Sequence, residues 1–494
     1  MRYHYIFWDF NGTIIDDVNT ALGCVNDLLE RKNRSPITLA EYYNYIETPI
    51  VGFYHHILPP EEIDFEEISR DYHRDYAKRA NETHLANGAF QLLQRLHTDG
   101  AHQYIITANH IDETTEIAQH MGILPFIDRI SGAEDSLADS KINRAKELFD
   151  SLGIDRNDAI LIGDTLHDLE TANTLGIDCV LVTYGHQGKK LLESYNVCSA
   201  TDLSEVEEII YDERRVDFHT HSTRSDGTMT PTELVHHAKS MGLSAFALTD
   251  HDSVDGIEEA AEEAKRIGIE FIPGIEFSAA EDTETHIIGL FLDTKNETLL
   301  ATIDKLKNSR RRRMEDVCSK LRALGFQVTH EEALRIAGGS FVGRAHIAKL
   351  MVEKGYCETV RECFDKYIGL GRPAYSEKTE LTAVEAVKAI KASGGLAYLA
   401  HLNQTGFDIN KLRALLLKLK EAGLTGIEGY YPEYTPEHIA QYRNLANELQ
   451  LSFSGGSDFH GKMKPHIEIG SGTGNLRIPY FILDNMKHIK SRND

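Results

Sequence analysis

Apolar and polar positions alternate in two long series along the 494-residue chain, and the second series begins near residue 212. In the first series, short apolar runs predict strands, and stretches with apolar residues at helical spacing predict helices between them. The predicted strands lie at 3–10, 103–109, 159–164 and 179–185, and the predicted helices include 89–100 and 141–153. Such an order indicates βαβ units around a parallel sheet. Residues about 16–86 interrupt the series with helical sequence, as a cap inserted after the first strand would.

The second series follows an acidic segment at 204–215, which is predicted to be a helix at the domain junction. Its apolar runs predict strands at 216–222, 244–251, 270–276, 285–292, 394–401, 426–431 and 451–460. Six or seven strand–helix units predict a β/α barrel, which mostly helical sequence at about 295–375 interrupts. The chain is therefore predicted to be an α/β protein with one domain at 1–211 and a second at 212–494.

Charge and cysteine content limit the location and the partners. The chain has 52 Lys and Arg against 77 Asp and Glu, which gives a formal charge of −25. A negative field of this size opposes binding to a nucleic-acid backbone, so stable binding of duplex nucleic acid is not expected. No apolar run approaches the roughly 18 residues of a membrane span. The six cysteines are sparse and form no C-x-x-C pair, so a reducing, cytoplasmic location is expected.

Polar residues suited to phosphate chemistry lie at the strand ends of the first domain. Asp9 ends the first strand in the sequence DFNGT, which a simple turn would also explain. Thr107 ends the second strand, Lys141 opens a helix, and Asp164 and Asp168 follow the third strand. Open α/β sheets bind ligands at the carboxyl ends of their strands. Together these residues offer a carboxylate nucleophile, a hydroxyl and an ammonium for phosphate oxygens, and two acids for Mg²⁺.

This set resembles the haloacid dehalogenase (HAD) superfamily of phosphatases over residues 1–211. The resemblance implies a doubly wound, Rossmann-like core with a helical cap at about 16–86. It also implies that Asp9 attacks phosphorus to form an aspartyl-phosphate, and that Thr107 and Lys141 hold the phosphate. Asp164 and Asp168, together with Asp9, would then bind Mg²⁺.

Asn11 departs from that family pattern at a catalytic position. The family usually carries there a second aspartate, which acts as general acid and base two residues after the nucleophile. An asparagine cannot exchange this proton, and general acid–base help is typically worth about 10²–10⁴-fold. The first domain is therefore either a phosphatase that is slow or has its acid elsewhere, or a phosphate-sensing domain without activity.

Histidines and carboxylates recur at the strand ends of the second domain. They are His219, His221, Asp226, His251, Glu276, His286, His401, Asp458 and His460. A lone histidine near a core is ordinarily just hydrogen-bonded. Burying nine such groups together without a metal would instead leave them unpaired, at several kcal/mol each. A cluster of metal ligands is therefore the better interpretation.

The motifs H-x-H, T-D-H, G-I-E, a lone His, A-H and S-D-x-H follow one another in that order. They resemble the polymerase and histidinol phosphatase (PHP) family of phosphoesterases over about 216–494. The resemblance implies a distorted, TIM-like β/α barrel with two or three divalent ions, and Mn, Fe, Zn or Mg would suit these ligands. It assigns His219, His221, Glu276 and Asp458 to one ion, His286 and His401 with Glu276 to a second, and Asp226, His251 and His460 to a third.

The insertion narrows the expected substrate. Its sequence GRAHIAKLMVEKG at 343–355 is similar to bacterial nucleoside 3′,5′-bisphosphate phosphatases, whose relatives trim RNA from the 5′ end. The similarity implies that Arg344 clamps a substrate phosphate, for which a guanidinium is suited. The run Arg310 to Arg313 could line a cationic mouth or simply cover a solvated helix face. The leading hypothesis is a bifunctional phosphoesterase for phosphorylated small molecules, nucleotides or short oligonucleotides. Histidinol phosphate is the alternative substrate, and the oligomeric state stays open.

Overall fold

The computed structural model describes residues 1–47, 50–79, 82–133, 141–280, 283–337, 342–376 and 381–493. Its contacts divide the chain into two compact units. The first contains Met1–Arg214, Tyr434–Ser452 and Pro479–Ile489, and the second contains Arg215–Glu433, Phe453–Ile478 and Lys490–Asp494. The sequence analysis placed the domain boundary at 211/212 and assigned no segment after it to the first domain. The predicted division into 1–211 and 212–494 stays a prediction. None of the helices in the described ranges is long and apolar enough to cross a membrane.

The described strands and helices are as follows. The strands are β1 (Tyr5–Trp8), β2 (Ile15–Asp16), β3 (His84–Leu85), β4 (His102–His110), β5 (Arg129–Ala133), β6 (Ala159–Gly163), β7 (Asp178–Val182), β8 (Ser199–Ala200), β9 (Arg215–Asp217), β10 (Ala245–Leu248), β11 (Glu270–Ala280), β12 (Glu284–Leu290), β13 (Leu381–Thr382), β14 (Leu396–Leu399), β15 (Gly426–Tyr430), β16 (Ser452–Gly455) and β17 (Ile478–Pro479). The helices are α1 (Val18–Arg31), α2 (Leu39–Tyr45), α3 (Val51–Ile57), α4 (Phe65–Lys78), α5 (Ala89–Thr98), α6 (Ile111–His120), α7 (Lys141–Leu152), α8 (Leu166–Leu175), α9 (Lys189–Ser194), α10 (Leu203–Tyr211), α11 (Pro231–Ser240), α12 (Ile257–Ile267), α13 (Glu297–Ala323), α14 (His330–Ile336), α15 (Arg344–Glu353), α16 (Val360–Cys363), α17 (Ala383–Ala392), α18 (Ile409–Glu421), α19 (Pro436–Glu448) and α20 (Phe481–Asn493).

A six-stranded parallel sheet forms the centre of the first unit, in the order β5-β4-β1-β6-β7-β8. The chain moves outward from β1 in one direction through β4 and β5, and in the other through β6, β7 and β8. The strand order therefore reverses at β1, which is where doubly wound sheets bind ligands. The predicted Rossmann-like fold is confirmed.

The cap of the first unit follows β1 directly. The short antiparallel pair β2 and β3 encloses helices α1 to α4 in the chain. These helices have their own apolar core, which includes Val25, Leu29, Tyr42, Phe53 and Ile68. The predicted helical insertion is therefore present, and it packs mainly on itself.

One boundary prediction is wrong. The acidic helix predicted at 204–215 ends at Tyr211, because Asp212 leaves the helical region with φ −75° and ψ 101°. Arg215 already belongs to strand β9. The apolar periodicity could not show this stop, since the residues after Tyr211 are all polar and would also suit a solvated helix end.

The second unit is built on a nearly closed sheet in the order β16-β15-β14-β12-β11-β10-β9-β17, with β13 beside β11. The backbone N–H of Phe218 donates to the carbonyl of Gly455 over 3.0 Å, which links the first strand region to the last. Strands β9 to β11 are parallel, but β12 runs antiparallel to both β11 and β14. The predicted β/α barrel is thus confirmed in a distorted form, with one hairpin in place of a strand–helix unit.

Helices α13 to α16 form the insertion, followed by a single π-helical turn at Phe364–Ile368. Met314, Val317, Leu321, Ile347 and Met351 belong to a separate apolar core of this insertion. Threonines define several helix starts in the second unit, and α11 and α17 begin with Thr-x-x-Glu capping boxes. Such caps satisfy the free N–H groups at a helix start.

Candidate functional site

The nine predicted ligands of the second unit lie at one edge of its sheet. His219 and His221 follow β9, His251 follows β10, His401 follows β14, and Asp458 and His460 follow β16. Strand β12 runs antiparallel to β11 and β14, so it begins at the edge where those two strands end. His286 near that beginning pairs with Ser278, and it therefore shares a sheet face with Glu276.

Glu276 is the centre of this cluster, and its side chain is only 1 % exposed. Five histidine nitrogens surround its two carboxylate oxygens. Oε2 lies 3.3 Å from His219 Nε2, 3.2 Å from His221 Nε2 and 3.0 Å from His251 Nδ1, and Oε1 lies 2.8 Å from His286 Nδ1 and 3.0 Å from His401 Nε2. One carboxylate thus faces ligands that the resemblance assigned to all three ions.

The remaining carboxylates complete two further groups. Asp458 Oδ1 lies 3.6 Å from His219 Nε2 and 3.4 Å from His221 Nε2. Asp226 Oδ1 lies 3.2 Å from His460 Nε2, and its other oxygen lies 3.8 Å from His251 Nε2. The Asp226 side chain is 47 % exposed, so the cluster opens to solvent on that side.

Divalent cations fit this set of atoms. His219 Nε2, His221 Nε2, His251 Nδ1 and Glu276 Oε2 are buried, and none of them makes a hydrogen bond to any described residue. Buried polar atoms are almost always paired, so four that converge on one point indicate a ligand. Burial alone would raise the pKa of Glu276, but His251, His219 and His286 hold it well below its ordinary value. Glu276 is therefore charged and available as a metal ligand.

Backbone geometry also marks this edge of the sheet. His401 has φ 25° and Asp458 has φ 57°, values that residues other than glycine seldom adopt. Gly456 approaches His219 so closely that a Cβ atom there would lie 2.1 Å from the His219 Cβ. Strained conformations cluster at functional sites because the surrounding structure holds them in place.

The sequence analysis missed three buried carboxylates behind the ligands. Asp217 accepts hydrogen bonds from the backbone N–H groups of His219, Ser457 and Gly470. Asp250 accepts from both the N–H and the hydroxyl of Ser222. Glu428 contacts His219 directly. Asp217 lies two residues before the H-x-H motif, and Asp250 is the central residue of the T-D-H motif, so both positions carried a signal that the analysis did not use.

The arginines of the insertion lie in different surroundings. Arg310 donates to Asp252 over 2.6 Å, Arg311 pairs with Glu315 over 2.8 Å, and Arg313 donates to the carbonyl of Ser376 over 3.0 Å. The four arginines therefore form neither a uniform cationic surface nor a uniformly solvated helix face. Arg310 differs from the others because it pairs with the buried Asp252, which follows His251.

Arg344 begins helix α15 within the insertion. Its guanidinium carbon lies 5.6 Å from the ring centre of Phe364 and 5.8 Å from that of Tyr375, and it donates to the carbonyl of Ile368 over 3.4 Å. These described contacts are all inside the insertion, and none joins Arg344 to the nine ligands. Its role as a phosphate clamp stays a prediction.

The phosphate residues of the first unit also converge at strand ends. Asp9 follows β1, and Asp164 follows the neighbouring strand β6. Lys141 Nζ contacts Asp9 Oδ1 and lies 2.5 Å from Asp168 Oδ1. One oxygen each from Asp9, Asp164 and Asp168 lies within 4.8 Å of the other two, which is a suitable spacing for Mg²⁺. Thr107 lies on β4, the strand on the other side of β1.

Position 12 of this site requires a glycine, and burial shifts the pKa values of the neighbouring acids. Gly12 has φ 68°, and a Cβ atom there would lie 2.3 Å from Asp164 Oδ2. Burial, opposed by His186 and helped by Asp168, raises the pKa of Asp164 to about 7. Burial likewise raises the pKa of Asp9, and Lys141 opposes that rise. A cation among these carboxylates would favour their charged forms.

Asn11 is the centre of a hydrogen-bond network that the sequence did not reveal. Its amide group donates to Asp17 Oδ2 over 2.6 Å and to the Tyr76 hydroxyl over 3.1 Å, and its carbonyl oxygen accepts from Asn109 Nδ2 over 2.6 Å. Asp17 is almost fully buried and also accepts hydrogen bonds from the Gly12 N–H and the Tyr76 hydroxyl. Position 11 itself has no carboxylate, but the carboxylate of Asp17 lies within hydrogen-bond distance of the Asn11 amide.

Comparisons with known proteins agree with the families predicted for the two domains. Residues 6–182 match the haloacid dehalogenase-like hydrolase family model, and residues 217–373 match the PHP domain model. A 5′-3′ exoribonuclease of Haemophilus influenzae is 36% identical over 251 residues, which cover 50% of this chain and 90% of that protein. A 3′,5′-nucleoside bisphosphate phosphatase of Chromobacterium violaceum is 32% identical over 257 residues, 52% and 90% of the two chains. A 5′-nucleotidase of Pseudomonas aeruginosa is 26% identical over 197 residues, 40% and 89%.

The chain therefore belongs to the PHP family and carries a haloacid dehalogenase-like hydrolase domain. It is a metal-dependent phosphoester hydrolase. Both resemblances drawn from the motifs are confirmed.

Proposed function

We propose that the second unit hydrolyses phosphate esters of nucleotides, either 3′,5′-bisphosphates or the 5′ ends of short oligonucleotides, with two or three divalent ions. The observation that carries this proposal is the Glu276 carboxylate among five histidine nitrogens at 2.8–3.3 Å. Histidine-rich sites with carboxylates suit Mn, Fe or Zn, and Mg is possible. The relatives named above support nucleotide substrates.

The ligands fix where the chemistry occurs. When bound, divalent ions activate a water molecule and neutralise the charge that develops on the phosphoryl oxygens. Most of the nine ligands follow buried strands of one sheet, whereas Asp226 lies in a turn and is 47 % exposed. Lys464, whose side chain is 35 % exposed, lies 2.5 Å from Asp458 Oδ2. Its ammonium is thus available at the edge of the site to bind a phosphate oxygen.

The charge of the insertion supports an anionic substrate with more than one phosphate. Residues 297–376 contain 15 Lys and Arg but only 10 Asp and Glu, within a chain of net charge −25. A local positive surface attracts phosphates that the rest of the molecule repels. Arg344, held at the start of α15, would grip the phosphate that is not cleaved.

For the first unit, we infer hydrolysis of a small phosphomonoester. Asp9 Oδ attacks phosphorus, the ester P–O bond breaks, and the departing alkoxide takes a proton from solvent because Asn11 has none to give. Water then cleaves the aspartyl-phosphate and releases phosphate and free Asp9. Lys141 and Thr107 hold the phosphoryl oxygens, while Asp9, Asp164 and Asp168 would hold Mg²⁺.

A phosphate-sensing domain without turnover is the alternative for the first unit. The residue at position 11 favours it, since an asparagine cannot act as the general acid and its amide is held by hydrogen bonds to Asp17 and Tyr76. A sensor would bind phosphate but would not hydrolyse a phosphomonoester.

A phosphate-release screen on the full-length chain tests both proposals. Metal content is measured first, and then nucleotide bisphosphates, 5′-phosphorylated RNA oligomers, histidinol phosphate and an aryl phosphate are compared. Asp9→Asn isolates the second site, and His219→Ala isolates the first. We expect bisphosphate or RNA hydrolysis to survive Asp9→Asn and to vanish in His219→Ala. A preference for histidinol phosphate would overturn the nucleotide assignment.

A further inference from the structure

Glu428 is a buried carboxylate that none of the recognised motifs includes. It lies in strand β15 within the sequence Gly-Ile-Glu, the same three residues that end at Glu276. Its side chain is fully buried. Oε1 lies 2.9 Å from His219 Nδ1, and Oε2 accepts the backbone N–H of His401 over 2.7 Å. One carboxylate therefore contacts two of the predicted metal ligands from behind.

This contact determines which nitrogen of His219 carries a proton. A carboxylate only accepts hydrogen bonds, so Nδ1 of His219 must be the donor. A neutral imidazole then keeps its lone pair on Nε2. That atom faces Glu276 Oε2 at 3.3 Å and Asp458 Oδ1 at 3.6 Å, and it has no hydrogen bond among the described residues. The available lone pair thus points to the metal side.

The second contact holds an unusual backbone. His401 has φ 25°, a value that needs support from its surroundings. Its N–H is directed at Glu428 Oε2, while its Nε2 lies 3.0 Å from Glu276 Oε1. Glu428 thereby fixes the main chain at the point where this ligand projects into the site.

We propose that Glu428 is a positioning residue for the metal centre, which sets the tautomer of His219 and the backbone of His401. This inference rests on the proposed metal-dependent function of the second unit. Partners of this kind orient the ligating histidines of metal sites and make them more basic. A purely structural carboxylate would instead affect folding and leave metal affinity unchanged.

Glu428→Gln separates these two roles because it keeps the shape of the side chain. If the amide NH₂ faces His219 Nδ1, the proton moves to Nε2 and the lone pair for the metal is lost. If it faces the His401 N–H, two donors oppose each other. Either orientation disturbs one ligand, whereas the volume that fills the core is unchanged.

The experiment uses the full-length chain and titrates Mn²⁺ against a competing chelator, with the melting temperature of the metal-free protein as a second readout. Glu433→Gln is the matched control, since Glu433 follows the same strand but is exposed. We expect Glu428→Gln to weaken Mn²⁺ binding by about 10–100-fold with little change in the metal-free melting temperature. The control should bind Mn²⁺ like the wild type.

Unchanged Mn²⁺ affinity in Glu428→Gln, with wild-type binding intact, would overturn this inference alone. A wild type that binds no divalent ion would overturn the proposed function and this inference with it. Nitrogen NMR of the histidines gives a measurement that needs no folded variant at position 428. We expect Nδ1 of His219 to be protonated in the metal-loaded wild type, and protonation at Nε2 would refute the role of Glu428.

Discussion

The two sites handle a phosphoryl group with opposite charge arrangements. In the first unit, Lys141 contacts both Asp9 and Asp168, so the chain supplies part of the positive charge itself. In the second unit, five histidine nitrogens surround Glu276, and several of the converging atoms have no hydrogen bond among the described residues. The first site thus includes a cation of the chain itself, whereas the second offers nitrogen and oxygen atoms that fit divalent cations. In the functions proposed above, the nucleophile is accordingly a side chain in the first unit and water in the second.

Removing the nucleophile gives the largest expected effect. Asp9→Asn should reduce hydrolysis of small phosphomonoesters by the first site to the assay background, because an amide cannot form the covalent intermediate. The measurement is phosphate release by the full-length chain from an aryl phosphate. Nucleotide hydrolysis by the second site serves as the internal control and should not change. Retained turnover in the combined variant Asp9→Asn with His219→Ala would contradict the covalent route.

Neutralising the central carboxylate of the second site comes next. Glu276→Gln should lower kcat/KM on the preferred nucleotide by about 10³-fold or more, which is about 4 kcal/mol of transition-state stabilisation. Metal content should fall in parallel, and hydrolysis by the first site should persist. A variant within tenfold of the wild type would show that Glu276 is not an essential metal ligand.

An exchange of side chains tests whether the first site lacks only its acid. Asn11→Asp alone would place a second carboxylate about where the Asn11 amide lies, 2.6 Å from Asp17 Oδ2, and the two charges would repel. Combining it with Asp17→Asn reverses the hydrogen bond, and Asn109 can still donate to position 11. We expect this double variant to raise the rate by about 10²-fold, the lower range for general acid–base help.

The single variant Asn11→Asp is the comparison for that exchange, and its gain should be smaller. If the double variant and the wild type are equally inert while inorganic phosphate still binds, the first unit is a sensor. Calorimetric titration with phosphate separates this outcome from misfolding.

The smallest effect concerns specificity in the second site. Arg344→Ala should reduce kcat/KM on a 3′,5′-bisphosphate by about 10–150-fold, from a lost charge-assisted contact of about 1.5–3 kcal/mol. A simple monophosphate should lose much less, because it has no second phosphate to grip. Arg312→Ala is the matched control, since Arg312 is an exposed arginine of α13. Equal losses on both substrates would falsify the clamp.

Local pattern was sufficient to predict which polar residues the structure brings together at the strand ends. The spacing of His219 and His221 places both side chains on one face, and apolar runs before Asp9 and His251 predict strand ends. Within each domain, parallel strands end at one edge of the sheet, so the side chains that follow those strands converge whatever the details of packing. The order of the motifs then indicated both families.

The tertiary structure decided the contacts that join distant parts of the chain. Only the direction of β12 brings His286 to the ligand edge, and sequence periodicity is the same for either direction. Glu428 meets His219 across 209 residues of sequence, and Asn11 meets Tyr76 of the cap and Asn109 across 65 and 98 residues. The periodicity of apolar residues shows which face of a segment packs on the core, because it depends only on residues close in sequence. Partners that are far apart in the chain are selected by packing, which no local window contains.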